Sequence, residues 1–215
     1  MGSVSLPHLR ADLLRTVGEL YAAHCITASG GNVSARIPTR DWFLITPSRV
    51  FKGDLRARHL VRLDLDGRTV GRAAFPPSSE WRMHCAIYRA RADVGAIVHA
   101  HAPQATVLGL SGLPFRPISA EAVLVGELPR VPFIPPGTAE LANAVVEALG
   151  NRQAALLLHH GLVVVAGSLR QAANLVEIIE RTAGMILGCA AVGREAPALP
   201  TDALAALRAP PSTAD

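Results

Sequence analysis

The sequence predicts a three-layer α/β domain built on a mixed sheet. Apolar residues recur at three- and four-residue steps in some segments and run unbroken over four to six residues in others, so helices and strands alternate irregularly. No internal repeat and no second domain stand out, and 215 residues suffice for one domain with a sizeable core. The domain is expected over 1–200, with 201–215, rich in Ala, Pro and Ser, as a tail whose end is mobile.

Pro7 to about His24 reads as the first helix, because Leu9, Leu13, Val17 and Leu20 share one face. Ala28–Asn32 is a small-residue turn, and Val33–Ile37 and Trp42–Ile45 are strands. Leu60–Leu65 and Thr69–Gly71 flank Asp66-Gly67, a hairpin signal. The loop Phe75–Ser79 leads into a helix that runs from Ser79 or Glu80 to Ala92, with Ser79 as a suitable N-cap. Gly95–His99 is a buried strand, Ala102–Leu110 a short helix and Ala122–Val125 another strand. A proline-rich loop, Pro132–Gly137, precedes a helix from Thr138 to Leu149. Ala154–Leu158 and Leu162–Val165 are strands, and Ser168 caps a long helix reaching about Ala191.

Half of the residues are hydrophobic and the mean hydropathy is +0.29, yet no apolar run reaches the roughly 18–20 residues that span a bilayer. The N-terminal Met1–Arg10 lacks the basic-then-apolar order of a signal peptide. Cys25, Cys85 and Cys189 are odd in number and scattered, which fits a reduced, cytoplasmic protein. The net charge is +4, with Lys52 the only lysine and arginine supplying the rest. These arginines are dispersed, which excludes a nucleic-acid face. The excess reads as mild attraction for small anions, or simply as codon bias.

The chemistry concentrates in the histidines. His99-Ala100-His101 ends an apolar run, and in a strand residues i and i+2 share a face, so both rings can turn toward one ion. His160, just before Gly161, closes another apolar strand and offers a third nitrogen; His159 points the other way if the segment is extended. Three neutral imidazoles with an open fourth position frame a catalytic zinc, and cobalt, nickel or copper suit the same set. His8, His24 and His59 read as ordinary histidines.

Glu80 stands at a helix start. It is either a first-turn glutamate that suits the helix dipole or a general acid/base beside the metal. Ser29-Gly30-Gly31-Asn32, Thr46-Pro47-Ser48 and Ser78-Ser79 are small polar loops able to offer N–H groups and hydroxyls to an oxyanion. Each alone is an ordinary turn; beside Glu80 and the histidines they suggest a phosphate pocket. None matches a nucleotide-binding loop.

The ordered set Ser-Gly-Gly-Asn-Val-Ser, Ile-Thr-Pro-Ser, Pro-Ser-Ser-Glu-Trp-Arg, Val-His-Ala-His and His-His-Gly resembles the class II aldolase/adducin family, nearest its fuculose-phosphate aldolase branch, from roughly Leu6 to Ala190. The resemblance implies a three-layer α/β/α domain with a central mixed, largely antiparallel sheet. It implies zinc on His99, His101 and His160, and Glu80 as the acid/base. Substrate phosphate would lie on Gly31, Asn32, Ser48, Ser78 and Ser79. It also implies a homotetramer acting on a sugar phosphate, with no nucleic-acid or membrane partner. The expected reaction is cleavage of a ketose 1-phosphate to dihydroxyacetone phosphate and an aldehyde through a metal-stabilised enediolate. Lys52, in a polar loop, is a poor Schiff-base lysine, which favours the metal route.

The chain departs from the family in two places. It lacks the aldehyde-side tyrosines, since Tyr21 and Tyr88 both fall in predicted helices. Arg49 stands where the family has glycine, either as an anion-binding fork or as a solvated loop residue. A different aldehyde, with Ile118 or Phe133 lining its pocket, accounts for the first. So does a decarboxylase or an epimerase on the same site. A non-catalytic adducin-like module is the remaining alternative.

Overall fold

The computed structural model describes residues 5–37 and 40–208. Helix α1 (Leu6–Ala22) precedes three strands, β1 (Asn32–Arg36), β2 (Trp42–Ile45) and β3 (Val61–Asp64). Then follow α2 (Trp81–Ala90), β4 (Ala96–Ala100), α3 (Pro103–Ser111), β5 (Arg130–Val131) and α4 (Ala139–Leu149). The chain continues through the hairpin β6 (Ala154–Leu157) and β7 (Gly161–Ala166), the long α5 (Leu169–Ala191) and α6 (Thr201–Arg208). The seven strands lie in the order β3-β2-β1-β4-β7-β6-β5, antiparallel except for the β5–β6 pair.

Helices cover both sheet faces, which is why β4, β6 and β7 are buried throughout and, His99 apart, apolar rather than alternating. Ala96, Val98 and Ala100 pack with α1, α3 and α5 in one core. Ile97, with Phe43, Leu63 and Val165, packs against α2 and α4 in the other. The helices begin where the sequence supplies caps: Thr138 Oγ1 accepts from the Leu141 N–H and Ser168 Oγ from the Gln171 N–H.

Several local expectations give way. Ala122–Val125 is no strand; Glu121–Leu124 form a 3-10 helix whose Ala122 and Val123 are buried, since a four-residue apolar run serves either conformation. β5 is too short to announce itself. Thr69–Gly71 contributes one isolated bridge, Leu63 to Thr69. Glu80, rather than Ser79, occupies the N-cap position of α2. Within the expected tail 201–215, Thr201–Arg208 is helical, and 209–215 lie outside the described residues. Among the described residues no helix is long and apolar enough to cross a membrane.

Candidate active site

Sheet register assembles the site. His99 on β4 lies opposite Asn32 of β1 and Val163 of β7. Alternation puts His99 on the face of Ile97, toward α2, together with Asn32 and Ser34. Glu80 enters from the start of α2, and Asn32 Nδ2 donates to its Oε2 at 2.9 Å. His101 lies one residue beyond β4, yet its ring still reaches the cluster.

The β6–β7 turn selects the third histidine. Leu157 pairs with Gly161, and the His160 N–H donates to Leu157 O at 3.0 Å. His159 sits at the third position of this turn with φ 60°, the geometry of a type II turn. The segment is therefore not extended: His159 is exposed beside Phe133, and His160 turns inward. Gly161 permits this approach, because a Cβ there would lie 2.3 Å from Ala100 O.

His99 Nε2 is the hub. It lies 3.1 Å from His101 Nε2, 3.2 Å from His160 Nε2 and 3.0 Å from Glu80 Oε2, and the four ligand atoms all fall within 4.8 Å of one another. Metal–nitrogen bonds of about 2.0–2.1 Å in a tetrahedron separate ligand atoms by about 3.3–3.4 Å, close to this spacing. His99 Nδ1 faces Leu162 O at 3.1 Å; the carbonyl can only accept, so this nitrogen carries the proton and Nε2 presents its lone pair. Glu80 Oε1 is buried with no hydrogen-bond partner, an orphan that a cation or substrate can satisfy. The donor set thus fits a divalent transition metal held by His99, His101 and His160, with Glu80 at its side.

The protonation states agree with this. Burial, followed by the neighbouring His99 and His160, lowers His101 to about 4, and the same burial and His99 lower His160. Burial works to raise Glu80, but His99, His160 and the Asn32 amide outweigh it and hold the carboxyl below its usual range. Metal binding needs such deprotonated ligands.

Behind Glu80 runs a buried chain that sequence reading misses. His84 on α2 is fully buried, with Nε2 2.5 Å from Asn32 Oδ1 and Nδ1 2.6 Å from Ser34 Oγ, which in turn meets the Tyr88 hydroxyl at 2.9 Å. An Nε2–H proton on His84 orients the Asn32 amide, and the amide orients Glu80. Burial holds His84 at about 3, against 6.5 for the free side chain. The unfolded chain therefore binds the extra proton between these values. The stabilisation from neutral His84 is complete above pH 6.5 and is lost as pH falls toward 3. His84→Gln removes this titration and flattens the acid limb of metal-free protein by up to about 1.4 kcal/mol per pH unit. Urea midpoints between pH 4.5 and 7 measure it, and parallel limbs for both proteins would reject the assignment.

The polar loops meet beside this cluster. Ser48 N–H donates to Pro76 O and Ser78 N–H to Thr46 O, so 46–48 and 76–78 pair as a short ladder. Ser78 is buried and its Oγ accepts from Glu80 N–H at 3.3 Å; Ser48 Oγ donates to Pro77 O at 2.8 Å. Gly31 holds φ 78°, and a Cβ there would lie 2.6 Å from Ile26 Cγ2 and 3.0 Å from His99 O; Ser79 is exposed. Arg49 is exposed with φ 62°, a conformation that favours glycine. Arg49→Gly relieves about 1 kcal/mol of backbone strain and raises Tm by about 2–4 °C; an unchanged or lower Tm contradicts this. Ile118 packs against the α1/α3/α5 core, whereas Phe133, 56% exposed, stands by the His159–His160 turn. Lys52, expected in a polar loop and on that ground set aside as a Schiff-base lysine, is instead buried at 5% exposure.

Fold and site together define a mixed α/β protein with a candidate three-histidine, one-carboxylate metal centre at the end of its middle strand. Residues 11–187 match the family described as Class II Aldolase and Adducin N-terminal domain, and the chain belongs to that family. It is 35% identical over 196 residues to a 5-methylthioribulose-1-phosphate/5-deoxyribulose-1-phosphate aldolase of Rhodospirillum rubrum, covering 90% of this chain and 86% of that one. It is 34% identical over 184 residues to a 3-oxo-tetronate 4-phosphate decarboxylase of Escherichia coli K12, covering 83% and 85%. A solved L-fuculose 1-phosphate aldolase superposes with TM-score 0.87 at 28% identity, covering 96% of this chain and 97% of the other.

Proposed function

We propose that the chain is a zinc-dependent lyase that cleaves the C3–C4 bond of a ketose 1-phosphate to dihydroxyacetone phosphate and an aldehyde. The observation that carries this reading is Glu80: a buried carboxylate with one oxygen tied to Asn32 and the other unpartnered, 3.4 Å from His160 Nε2. His99, His101 and His160 would hold a divalent ion, which when bound would supply Lewis-acid stabilisation of negative charge developing on the substrate oxygens. Glu80, ionised at neutral pH, takes the proton from the substrate hydroxyl that becomes a carbonyl. It returns that proton to the carbon left behind, so one carboxylate serves both transfers. Gly31, Asn32, Ser48, Ser78 and Ser79 would line the phosphate site, with Arg49 at the rim; the Ser78 and Ser79 hydroxyls are the free donors, since the Ser48 and Ser78 N–H groups and the Ser48 hydroxyl serve the ladder. Three unpaired cysteines support a reducing, cytoplasmic setting, and family resemblance supports a homotetramer.

A second reading, decarboxylation of a phosphorylated keto acid, is favoured by one specific feature. Tyr88 is buried and committed to Ser34, and Tyr21 packs on Phe51, so neither is placed to protonate an aldehyde oxygen. Loss of carbon dioxide needs no such group. Product analysis over ketose 1-phosphates and keto-acid phosphates, with and without chelator, separates the readings. Chelator-sensitive release of dihydroxyacetone phosphate is expected. Bicarbonate without aldehyde would decide for the second reading, and metal-free protein with no turnover would point to a non-catalytic module.

A further inference from the structure

Phe51 and Lys52 invert the usual order of a surface loop. The phenylalanine is 51% exposed and its neighbour, the only lysine of the chain, is 5% exposed. Lys52 opens a 3-10 helix, Lys52–Asp54, and its N–H donates to Ala28 O at 2.9 Å. That bond ties it to the 28–31 turn. Gly30 of the turn lies so close to His101 that a Cβ there would stand 2.5 Å from the ring Nδ1. The same loop carries Ser48 four residues earlier. Lys52 is thus anchored to the turn that packs on His101 and shares a loop with Ser48.

Among the described residues no carboxylate reaches Lys52: the ion pairs there are made by arginines and histidines, and its side chain makes no hydrogen bond. Desolvation lowers its pKa, as expected of a largely buried lysine with no carboxylate beside it. Buried charges are ordinarily paired, and an unpaired one costs several kcal/mol. A buried cation anchored beside a turn that offers oxyanion donors is therefore short of an anion.

We propose that Lys52 is a substrate-binding residue whose ammonium pairs with the phosphate group held by the 28–31 turn and Ser48, adding a fixed charge to a pocket otherwise made of neutral donors. This rests on the reading of the site as one for phosphorylated substrates, but not on which bond is cleaved. A point-charge lysine suits phosphate without demanding the planar geometry of an arginine fork.

The test separates a ligand role from a structural one. Methionine has nearly the volume of lysine and no charge, so Lys52→Met should raise the Tm of ligand-free protein; a lysine buried for stability would lower it. Inorganic phosphate should raise the Tm of the wild type and bind Lys52→Met about 10- to 100-fold more weakly, with Lys52→Arg restoring part of the difference. With a turned-over substrate from the panel, the loss falls on KM more than on kcat. Equal phosphate affinity in wild type and Lys52→Met overturns the proposal, as does a lowered Tm in the variant. A borohydride-stable adduct of Lys52 with dihydroxyacetone phosphate also overturns it, by making the residue a nucleophile. Phosphate binding is read without turnover, so wild type that binds phosphate yet cleaves nothing faults the lyase reading alone.

Discussion

His99→Ala leaves the protein without stable metal and lowers kcat/KM by at least about 10³-fold. Among the four donors only His99 is held by regular secondary structure on both sides, between β1 and β7, with no exposure. Its Nδ1 is fixed by Leu162 O and its Nε2 stands within 3.0–3.2 Å of the other three donors. Without this ring, His101 in the β4–α3 connection and His160 in the β6–β7 turn no longer share a fixed nitrogen between them. Lewis-acid stabilisation amounts to several kcal/mol, and 1.36 kcal/mol is a tenfold rate change, so about 4 kcal/mol gives the thousandfold loss. Metal at about 1,000 times its Kd stabilises the wild type by about 4 kcal/mol, or about 8–16 °C in Tm for a chain of this size. The variant should show no such rise. Elemental analysis after gel filtration and melting curves with and without zinc measure both effects. One equivalent of metal retained by His99→Ala would refute the assignment.

The histidine pair is legible because a strand's period of two survives in His99-Ala100-His101 even though β4 ends at Ala100. His160 is legible because a glycine follows it where two strands must approach, although the turn itself, with His159 left-handed, has no sequence signal beyond that glycine. The loops announce themselves by small polar residues, a local property. What stays hidden is what depends on register between distant segments. His84 lies in an amphipathic helix among Met83, Ile87 and Tyr88 and reads as one more core-facing position. Only the stacking of α2 over β1 reveals that it holds Asn32. Lys52 is hidden for the opposite reason: Gly53 and Asp54 mark a polar loop, and its burial depends on that loop packing on α1 and bonding to Ala28. The mistaken strand at Ala122–Val125 is the same limit again, since four apolar residues carry no period to decide on.

Glu80→Gln separates the carboxylate from the metal. Glutamine has the same shape, and its amide oxygen still accepts from Asn32 Nδ2, so the Asn32–His84–Ser34 chain behind it stays in place. The three histidines are untouched, and the variant should bind metal at close to one equivalent. An amide neither takes nor returns a proton at neutral pH. The expected loss is therefore in kcat, by about 10²- to 10⁴-fold, with a much smaller change in KM. The proton transfer is visible apart from bond cleavage: wild type should exchange one α-hydrogen of dihydroxyacetone phosphate with deuterium from the solvent, and Glu80→Gln should not. If the variant keeps its metal and still exchanges that hydrogen at the wild-type rate, some other group carries the proton. Glu80 would then be reduced to a helix-start glutamate at the edge of a metal site. If it loses both metal and exchange, the carboxylate is a ligand first, and the orphaned Oε1 marks a coordination position rather than a base.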